Sequence, residues 1–141
     1  MTAVVLDASV MAAAFFQEEH APAAQRLLQG AVEVLHAPDL IYAELGNVIW
    51  KRYSRGAIAL EKASDLLADM RLVPLEITPS RNLVESALEI ALKLNHSVYD
   101  CLYLALALSH NCALITGDQR LIDHVAPTAF RKHIKWIGKL R

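Results

Sequence analysis

Two aspartates closely follow short apolar runs, where a carboxylate could either cap a helix or take part in a binding or catalytic site. Asp7 comes after AVVL at residues 3–6, and Asp118 comes after ALITG at residues 113–117. A short apolar run that turns abruptly polar is typical of a strand buried on both faces of a sheet. Each aspartate could cap the helix that follows it. Each could equally lie in a site, because parallel sheets bind ligands outside the carboxyl ends of their strands.

A third acid, Glu44, lies in DLIYAELGNVIWKR (residues 39–52). On a helical wheel the apolar residues of this segment form one stripe, and Glu44 falls at its margin beside Asn47 and Lys51. That position fits the wall of a polar pocket. The alternative is a surface glutamate that pairs with Lys51 or Asn47 for a few tenths of a kcal/mol.

The fourth acid, Asp100, stands in the first turn of SVYDCLYLALALSH (residues 97–110), whose residues 101–108 are uncharged. Ser97 and Asp100 have the spacing of a capping box, in which Ser97 caps the helix and Asp100 bonds back to the Ser97 N–H. The capping box explains Asp100 taken alone, but not the presence of three other acids at comparable positions.

The four acids can converge, because an α/β sheet places strand ends and helix starts along one edge. Four carboxylates cannot share a pocket unpaired, since each raises the free energy of ionising the next. No matching set of Lys and Arg accompanies them. A divalent cation would relieve the repulsion, and Mg²⁺ or Mn²⁺ suits an all-carboxylate site. Such a cation can activate water and stabilise charge that develops on a phosphodiester.

Elements that could position these acids alternate along the chain. The predicted strands are AVVL (3–6), VEVLHA (32–37), RLVPLEI (71–77), CALIT (112–116) and HIKWI (133–137). The predicted helices cover 8–16, 22–30, 39–53, 57–71, 79–94, 97–110 and 119–125. Asp39 is predicted to cap the third helix, and Pro74 places its strand at an edge or a bend. The alternation predicts an α/β fold with a mainly parallel sheet covered on both faces.

Composition narrows the class of protein. The chain has 141 residues, 55% of them hydrophobic, and is predicted to be one domain over residues 1–141. Its longest uncharged run, residues 101–117, is interrupted by polar residues and suits a buried helix and strand better than a membrane span. Asp7 would break a signal-peptide core, so we expect a soluble cytoplasmic protein. The spacing of the cysteines and histidines indicates neither a zinc site nor a disulfide framework. The five isolated glycines do not form a phosphate-binding loop.

The net charge of −1 conceals an asymmetry. Residues 131–141 (RKHIKWIGKLR) hold five of the 14 Lys and Arg and no acid, so residues 1–130 carry nine bases against 15 acids. A basic tail on an acidic body could contact nucleic acid or an acidic partner. It could also be a solvated terminal face.

Four segments, in this order and spacing, resemble the PIN-domain family over essentially the whole chain: VVLDASV, AELGNVIWKR, SVYDCLYLALA and ITGDQRL. Within that family they most resemble the small VapC-type toxins of prokaryotic toxin–antitoxin pairs. The resemblance implies a three-layer α/β/α sandwich and an endoribonuclease dependent on Mg²⁺, for which Mn²⁺ can substitute. It also implies a homodimer that a cognate antitoxin silences by lying across the active-site groove.

Carried onto this chain, the resemblance assigns the metal-binding and catalytic acids as Asp7, Glu44, Asp100 and Asp118. Ser9 and Thr116 match its small hydroxyl positions near the first and last acids. One departure is that Gln119 and Arg120 follow Asp118 where many relatives have a further acid, which weakens a second metal position.

Three rival interpretations remain. A response-regulator receiver needs a mid-chain strand ending in a phosphoacceptor aspartate, and a haloacid-dehalogenase-type phosphatase needs Asp-x-Asp where this chain has Asp7-Ala8-Ser9. Both fit poorly. The third is a PIN-like module that binds RNA or protein without cutting, and the presence of all four acids favours catalysis over it.

A candidate partner surface lies at the end of the third helix. Trp50 falls opposite the apolar stripe of that helix, and three cations accompany it: Lys51, Arg52 and Arg55. An exposed aromatic beside cations would make a contact surface for the antitoxin or a second subunit. Packing of Trp50 against the next helix is the alternative.

Overall fold

Five strands and seven helices form the part of the chain described by the computed structural model, residues 2–140. The strands are β1 (Ala3–Leu6), β2 (Val34–Pro38), β3 (Glu76–Thr78), β4 (Ala113–Thr116) and β5 (Ile134–Trp136). The helices are α1 (Ala8–Phe15), α2 (Ala21–Arg26), α3 (Leu40–Ser54), α4 (Leu60–Leu72), α5 (Val84–Leu94), α6 (Val98–Ser109) and α7 (Gln119–Val125).

The strands form one sheet in the order β3-β2-β1-β4-β5, and every neighbouring pair is parallel. β1 is the central strand, and its residues Val4, Val5 and Leu6 are fully buried. Leu6 lies opposite Ile115 of β4, so the carboxyl ends of these two strands are adjacent. This register brings the loop that carries Asp7 next to the loop that carries Asp118.

Helices cover the sheet in the three-layer α/β/α arrangement that the resemblance implied. α6 contacts β1, β2 and β4, and α5 packs beside it. Residues 101–107 of α6 are all buried, which explains why this helix is apolar around most of its circumference. α1 contacts β4, while α3 contacts β2 and pairs with α4 as a helical hairpin.

Most predicted elements are present, with shifts at their ends. The predicted helix 22–30 is α-helical only to Arg26 and ends in a wide turn, Leu27–Ala31, where Gly30 has φ +102°. The segment 79–94 begins with a 3₁₀ turn, Ser80–Asn82, before α5 starts at Val84. The strand after Pro74 is short and lies at the sheet edge, as predicted.

One capping prediction is wrong in its chemistry. Asp39 does precede α3, but its side chain makes no hydrogen bond to that helix. The carboxylate instead accepts the N–H and the hydroxyl of Ser80, from the loop after β3. The distant serine competes successfully for the carboxylate because β2 and β3 are paired, with Pro38 opposite Thr78.

No helix among residues 2–140 combines the length and the apolar character needed to cross a membrane.

Candidate active site

Asp7 occupies the junction between β1 and α1 and caps that helix. One carboxylate oxygen, Oδ1, accepts the Ser9 N–H at 3.0 Å, the Val10 N–H at 3.3 Å and the Ser9 hydroxyl. The other, Oδ2, accepts the Thr116 hydroxyl at 2.5 Å. The helix cap and the contact with a second strand therefore coexist: Asp7 is both a cap and part of a tertiary cluster.

The two hydroxyl residues tie the loops after β1 and β4 together. The Ser9 hydroxyl accepts the Gly117 N–H at 2.8 Å, and the Thr116 hydroxyl accepts the Asp118 N–H at 3.0 Å. A Cβ at Gly117 would lie 3.3 Å from the Ser9 oxygen, so the glycine permits this close approach. Thr116, whose side chain is fully buried, links Asp7 to the backbone of Asp118.

Asp118 is exposed and caps α7. Its carboxylate accepts the N–H groups of Arg120 at 3.0 Å and Leu121 at 3.2 Å. The cap interpretation therefore applies to Asp118 as it does to Asp7. The difference is that Asp118 is exposed, whereas the Asp7 carboxyl group is buried.

Glu44 is held from α6 rather than by its own helix. The hydroxyl of Tyr103, a buried residue of α6, donates a hydrogen bond to the Glu44 carboxylate. The alternative pairing with Lys51 does not occur, because Lys51 is exposed and forms no ion pair within residues 2–140. Sequence reasoning missed Tyr103, although a tyrosine inside an apolar helix needs a partner for its hydroxyl. That need for a hydrogen-bond partner is the sequence signal by which Tyr103 could have been found.

Asp100 forms only half of the predicted capping box. Ser97 accepts the Asp100 N–H at 3.5 Å, but the Asp100 carboxylate turns to His96, whose Nε2 is 2.6 Å from Oδ2. The His96 ring also meets His124 edge-on, with centroids 4.8 Å apart, and His124 Nε2 contacts the carbonyl of Leu94 at 2.5 Å. His96 was not singled out from the sequence, although its i,i+4 spacing from Asp100 is a recognisable pairing signal.

The charge of Asp100 acts on Asp7, and the charges of Asp7 and Asp100 act on Glu44. Burial raises the pKa of Asp7 to about 6, hydrogen bonds from Ser9, Thr116 and Val10 oppose the rise, and the charge of Asp100 adds to it. The Asp7 carboxyl group is buried even though part of the residue reaches the surface.

The pKa of Glu44 is also raised, first by burial and then by the charges of Asp7 and Asp100, against the hydrogen bond from Tyr103. Burial raises the pKa of Tyr103 too, and the neighbouring Glu44 raises it further, so its phenol stays protonated and keeps donating. Asp7, Glu44 and Asp100 therefore lie close enough at the carboxyl edge of the sheet for the charge of Asp100 to act on the other two acids.

The donor set fits a hard divalent cation in its chemistry. The acids offer oxygen ligands, and no Lys or Arg within residues 2–140 forms an ion pair with any of them. Over the same residues, no three His, Cys, Asp or Glu side chains already stand in ligating positions. Each carboxylate instead bonds to a different partner: the hydroxyls of Ser9 and Thr116 for Asp7, Tyr103 for Glu44, His96 for Asp100 and the α7 backbone for Asp118.

The residues of the candidate partner surface differ in how available they are to a partner. Trp50 is exposed by 60%, and Lys51 and Arg55 are exposed beside it. Arg52 is engaged within the chain, because it forms an ion pair with Glu18 at 2.9 Å and stacks over the Phe16 ring at 4.1 Å. The packing alternative for Trp50 is therefore not observed.

Comparison with known proteins gives the same fold and family. The profile of the PIN domain matches residues 4–126. Ribonuclease VapC3 of Pyrobaculum aerophilum is 34% identical over 122 residues, which cover 85% of this chain and 92% of that protein.

Two solved structures are similar in fold. One is PAE2754 from Pyrobaculum aerophilum, with a TM-score of 0.73 and 20% identity over 97% of this chain and 85% of that one. The other is VapBC2 from Rickettsia felis, solved with a DNA fragment from its promoter, with a TM-score of 0.65 and 15% identity over 96% and 98% of the two chains.

Proposed function

The chain belongs to the PIN-domain family, and from that premise we propose that it is a metal-dependent endoribonuclease, the toxin of a toxin–antitoxin pair. The proposal takes residues 1–141 as a single PIN domain acting in the cytoplasm. The observation that carries it is the effect of the Asp100 charge on Asp7, and of both charges on Glu44, at the carboxyl edge of a parallel sheet where no Lys or Arg of residues 2–140 pairs with these acids.

We assign the metal-binding role to Asp7, Asp100 and Asp118, with Glu44 contributing directly or through water. Mg²⁺ or Mn²⁺ bound there would supply the positive charge and Lewis acidity for hydrolysis of an RNA phosphodiester by water. The role needs no protein nucleophile.

The remaining site residues orient the acids. Ser9 and Thr116 fix both oxygens of Asp7, so this carboxylate presents a defined edge. Tyr103 keeps Glu44 in place, and His96 keeps Asp100 in place, each by one hydrogen bond from a neighbouring residue of the α5–α6 region. Carboxylates held in this way lose little conformational entropy when they bind a ligand.

Cleavage of a total RNA pool by the purified chain, in Mn²⁺ or Mg²⁺ and in EDTA, tests the proposal. We expect cleavage that requires the cation and that Asp7→Asn and Asp100→Asn abolish, with circular-dichroism spectra like that of the wild type. Wild-type cleavage by either variant would contradict the assignment. Manganese binding without any RNA cleavage would favour the alternative of a PIN-like binding module.

We also propose that a cognate antitoxin, or the second subunit of a homodimer, covers the surface around Trp50, Lys51 and Arg55. Exposure of a large aromatic beside cations supports it. In a Trp136→Phe background, Trp50 is the only tryptophan. Its emission and iodide quenching should change when the product of the neighbouring open reading frame binds or when a dimer dissociates. Unchanged quenching in both experiments would exclude this surface.

A further inference from the structure

A basic groove of about 290 Å³ lies between α7 and the edge strand β5. Its polar and aromatic lining consists of Gln119, Arg131, Lys135, Trp136 and Lys139. Among the described residues, no Asp or Glu lines this groove. Two acids stand next to Gln119: Asp118 precedes it in the chain, and Asp123 accepts a hydrogen bond from its side chain at 2.9 Å. The groove is therefore strongly positive in its immediate lining.

The cations of this groove are available to a ligand. Arg131, Lys135 and Lys139 are all exposed, and within residues 2–140 none of them forms an ion pair. Arg52 provides a contrast, because it is occupied by Glu18 and the Phe16 ring. Unpaired cations that share one groove retain their full attraction for a polyanion.

The groove adjoins the acidic cluster through the sheet register. Trp136, at the end of β5, lies opposite Thr116 at the end of β4. Thr116 donates its hydroxyl to Asp7, and Gln119 of the groove follows Asp118 directly in the chain. Since paired strands lie about 4.8 Å apart, the end of β5 that contributes Trp136 to the groove lies next to the end of β4 that carries Thr116.

Trp136 is held in a defined position. A Cβ at Gly138 would lie 2.6 Å from the indole ring, so the ring packs directly against the glycine. The His20 ring meets the indole edge-on, with centroids 5.1 Å apart. The indole is partly exposed in this arrangement, which makes it a fixed aromatic surface beside three cations.

This combination is the one that single-stranded nucleic acids require: cations that follow the phosphates and an aromatic ring on which a base can stack. The rest of the chain opposes polyanion binding, because residues 1–130 have a net charge of −6 and the site itself is a cluster of acids. Resting on the proposed ribonuclease function, we propose that the α7–β5 groove binds single-stranded RNA next to the scissile bond, with Arg131, Lys135 and Lys139 on phosphates and Trp136 under a base.

Binding of a short fluorescein-labelled RNA of mixed sequence, measured by anisotropy in EDTA, tests the phosphate contacts. The variant Arg131→Gln/Lys135→Gln/Lys139→Gln should bind about tenfold or more weakly than the wild type. Its slope of log K against log salt should be shallower by about 0.7 for each phosphate that the variant no longer neutralises. The control Arg81→Gln/Lys62→Gln/Lys93→Gln removes the same charge from exposed sites outside the groove and should keep the wild-type slope.

Trp136 is tested separately. In a Trp50→Phe background it is the only tryptophan, and RNA should quench its emission. Gly138→Ala leaves every charge in place but displaces the indole, and we expect about a fivefold or greater loss of affinity. Circular-dichroism spectra of all variants should match that of the wild type.

The outcomes separate this inference from the proposed function. If the wild type cleaves RNA but the triple variant has wild-type affinity and salt slope, the groove does not bind RNA. If the triple variant instead loses only the binding of an acidic peptide, the groove is a protein site and the inference is wrong. If the wild type binds RNA through the groove but cleaves none in Mn²⁺, the groove assignment stands and the ribonuclease proposal fails.

Discussion

Asp7 and Asp39 occupy matching positions at the ends of two strands, and each carboxylate accepts from a serine. Each directly follows a strand, β1 or β2, and these two strands are paired neighbours in the sheet. Each carboxylate accepts both the hydroxyl and the backbone N–H of a serine, at 3.0 Å from the nitrogen in both cases. The pKa values of the two groups nevertheless move in opposite directions.

Burial raises the pKa of Asp7 to about 6, and Asp100 adds a like charge. Asp39 is exposed, and the hydrogen bond from the Ser80 hydroxyl lowers its pKa. Burial and a neighbouring acid therefore give Asp7 the perturbed environment that is typical of functional sites, and Asp39 lacks both. The following four predictions compare these two positions.

The largest effect concerns catalysis. Asp7→Asn should lower cation-dependent cleavage of RNA by at least about a hundredfold, since stabilisation of phosphodiester charge is worth several kcal/mol. Asp39→Asn should leave the rate unchanged, because Asp39 has no acidic neighbour in the cluster. Equal losses in the two variants would remove the distinction between the two positions.

The second prediction concerns the free energy of unfolding of the metal-free protein. A folded pKa of about 6 against 3.8 means that the folded state binds the Asp7 proton more tightly. This contribution is complete below pH 3.8 and is lost as pH rises through 6, an expected fall of about 3 kcal/mol.

Urea denaturation in EDTA across that pH range measures this fall. Asp7→Asn should remove most of it. The lowered pKa of Asp39 has the opposite sign, since its contribution is present above pH 3.8 and is lost on further acidification. Asp39→Asn should therefore alter only the acidic limb, and a wild type with no decline between pH 4 and 6 would contradict the Asp7 assignment.

The third prediction concerns the like charge that Asp39 lacks. Asp100→Asn relieves repulsion on Asp7, so its melting temperature in EDTA should equal or exceed that of the wild type. Mn²⁺ at a hundredfold excess over its dissociation constant should stabilise the wild type by about 2.7 kcal/mol and the variant by much less. Calorimetry in both buffers tests this, and an equal loss in both would make Asp100 a structural residue only.

The smallest effect concerns the serines. Ser9→Ala removes a donor from Asp7 and should lower the cleavage rate about tenfold at neutral pH, the equivalent of one hydrogen bond. Ser80→Ala removes the matching donor from Asp39 and should change stability by no more than about 1 kcal/mol, with no loss of rate. Rates and melting temperatures of this matched pair can be measured together.

The elements of the fold could be predicted because their patterns are local. Fully buried parallel strands appear as apolar runs, and β1 and β4 match theirs within one residue. The failures occur where another residue competes for a capping carboxylate. Asp39 is predicted to cap α3, but it accepts from Ser80, which the pairing of β2 with β3 brings close. The capping-box alternative for Asp100 is only half formed, because its carboxylate pairs with His96, four residues earlier. Local capping rules cannot foresee the competitor that strand pairing brings to Asp39, whereas the spacing of His96 and Asp100 is visible in the sequence.

The sequence by itself determined the strands, the apolar helix α6 and the types and order of the four acids. These features follow from the pattern of apolar and polar residues within each segment, so they do not depend on how distant segments pack. The tertiary structure decided that the charges of Asp7 and Asp100 act on Glu44 and that Tyr103 donates a hydrogen bond to Glu44. It also decided that the basic C-terminal segment lines a groove beside the candidate site. Those facts depend on strand order and register, which join residues more than 100 positions apart, such as Asp7 and Thr116. Burial and charge–charge energies depend on distance in space, and only the folded chain sets that distance.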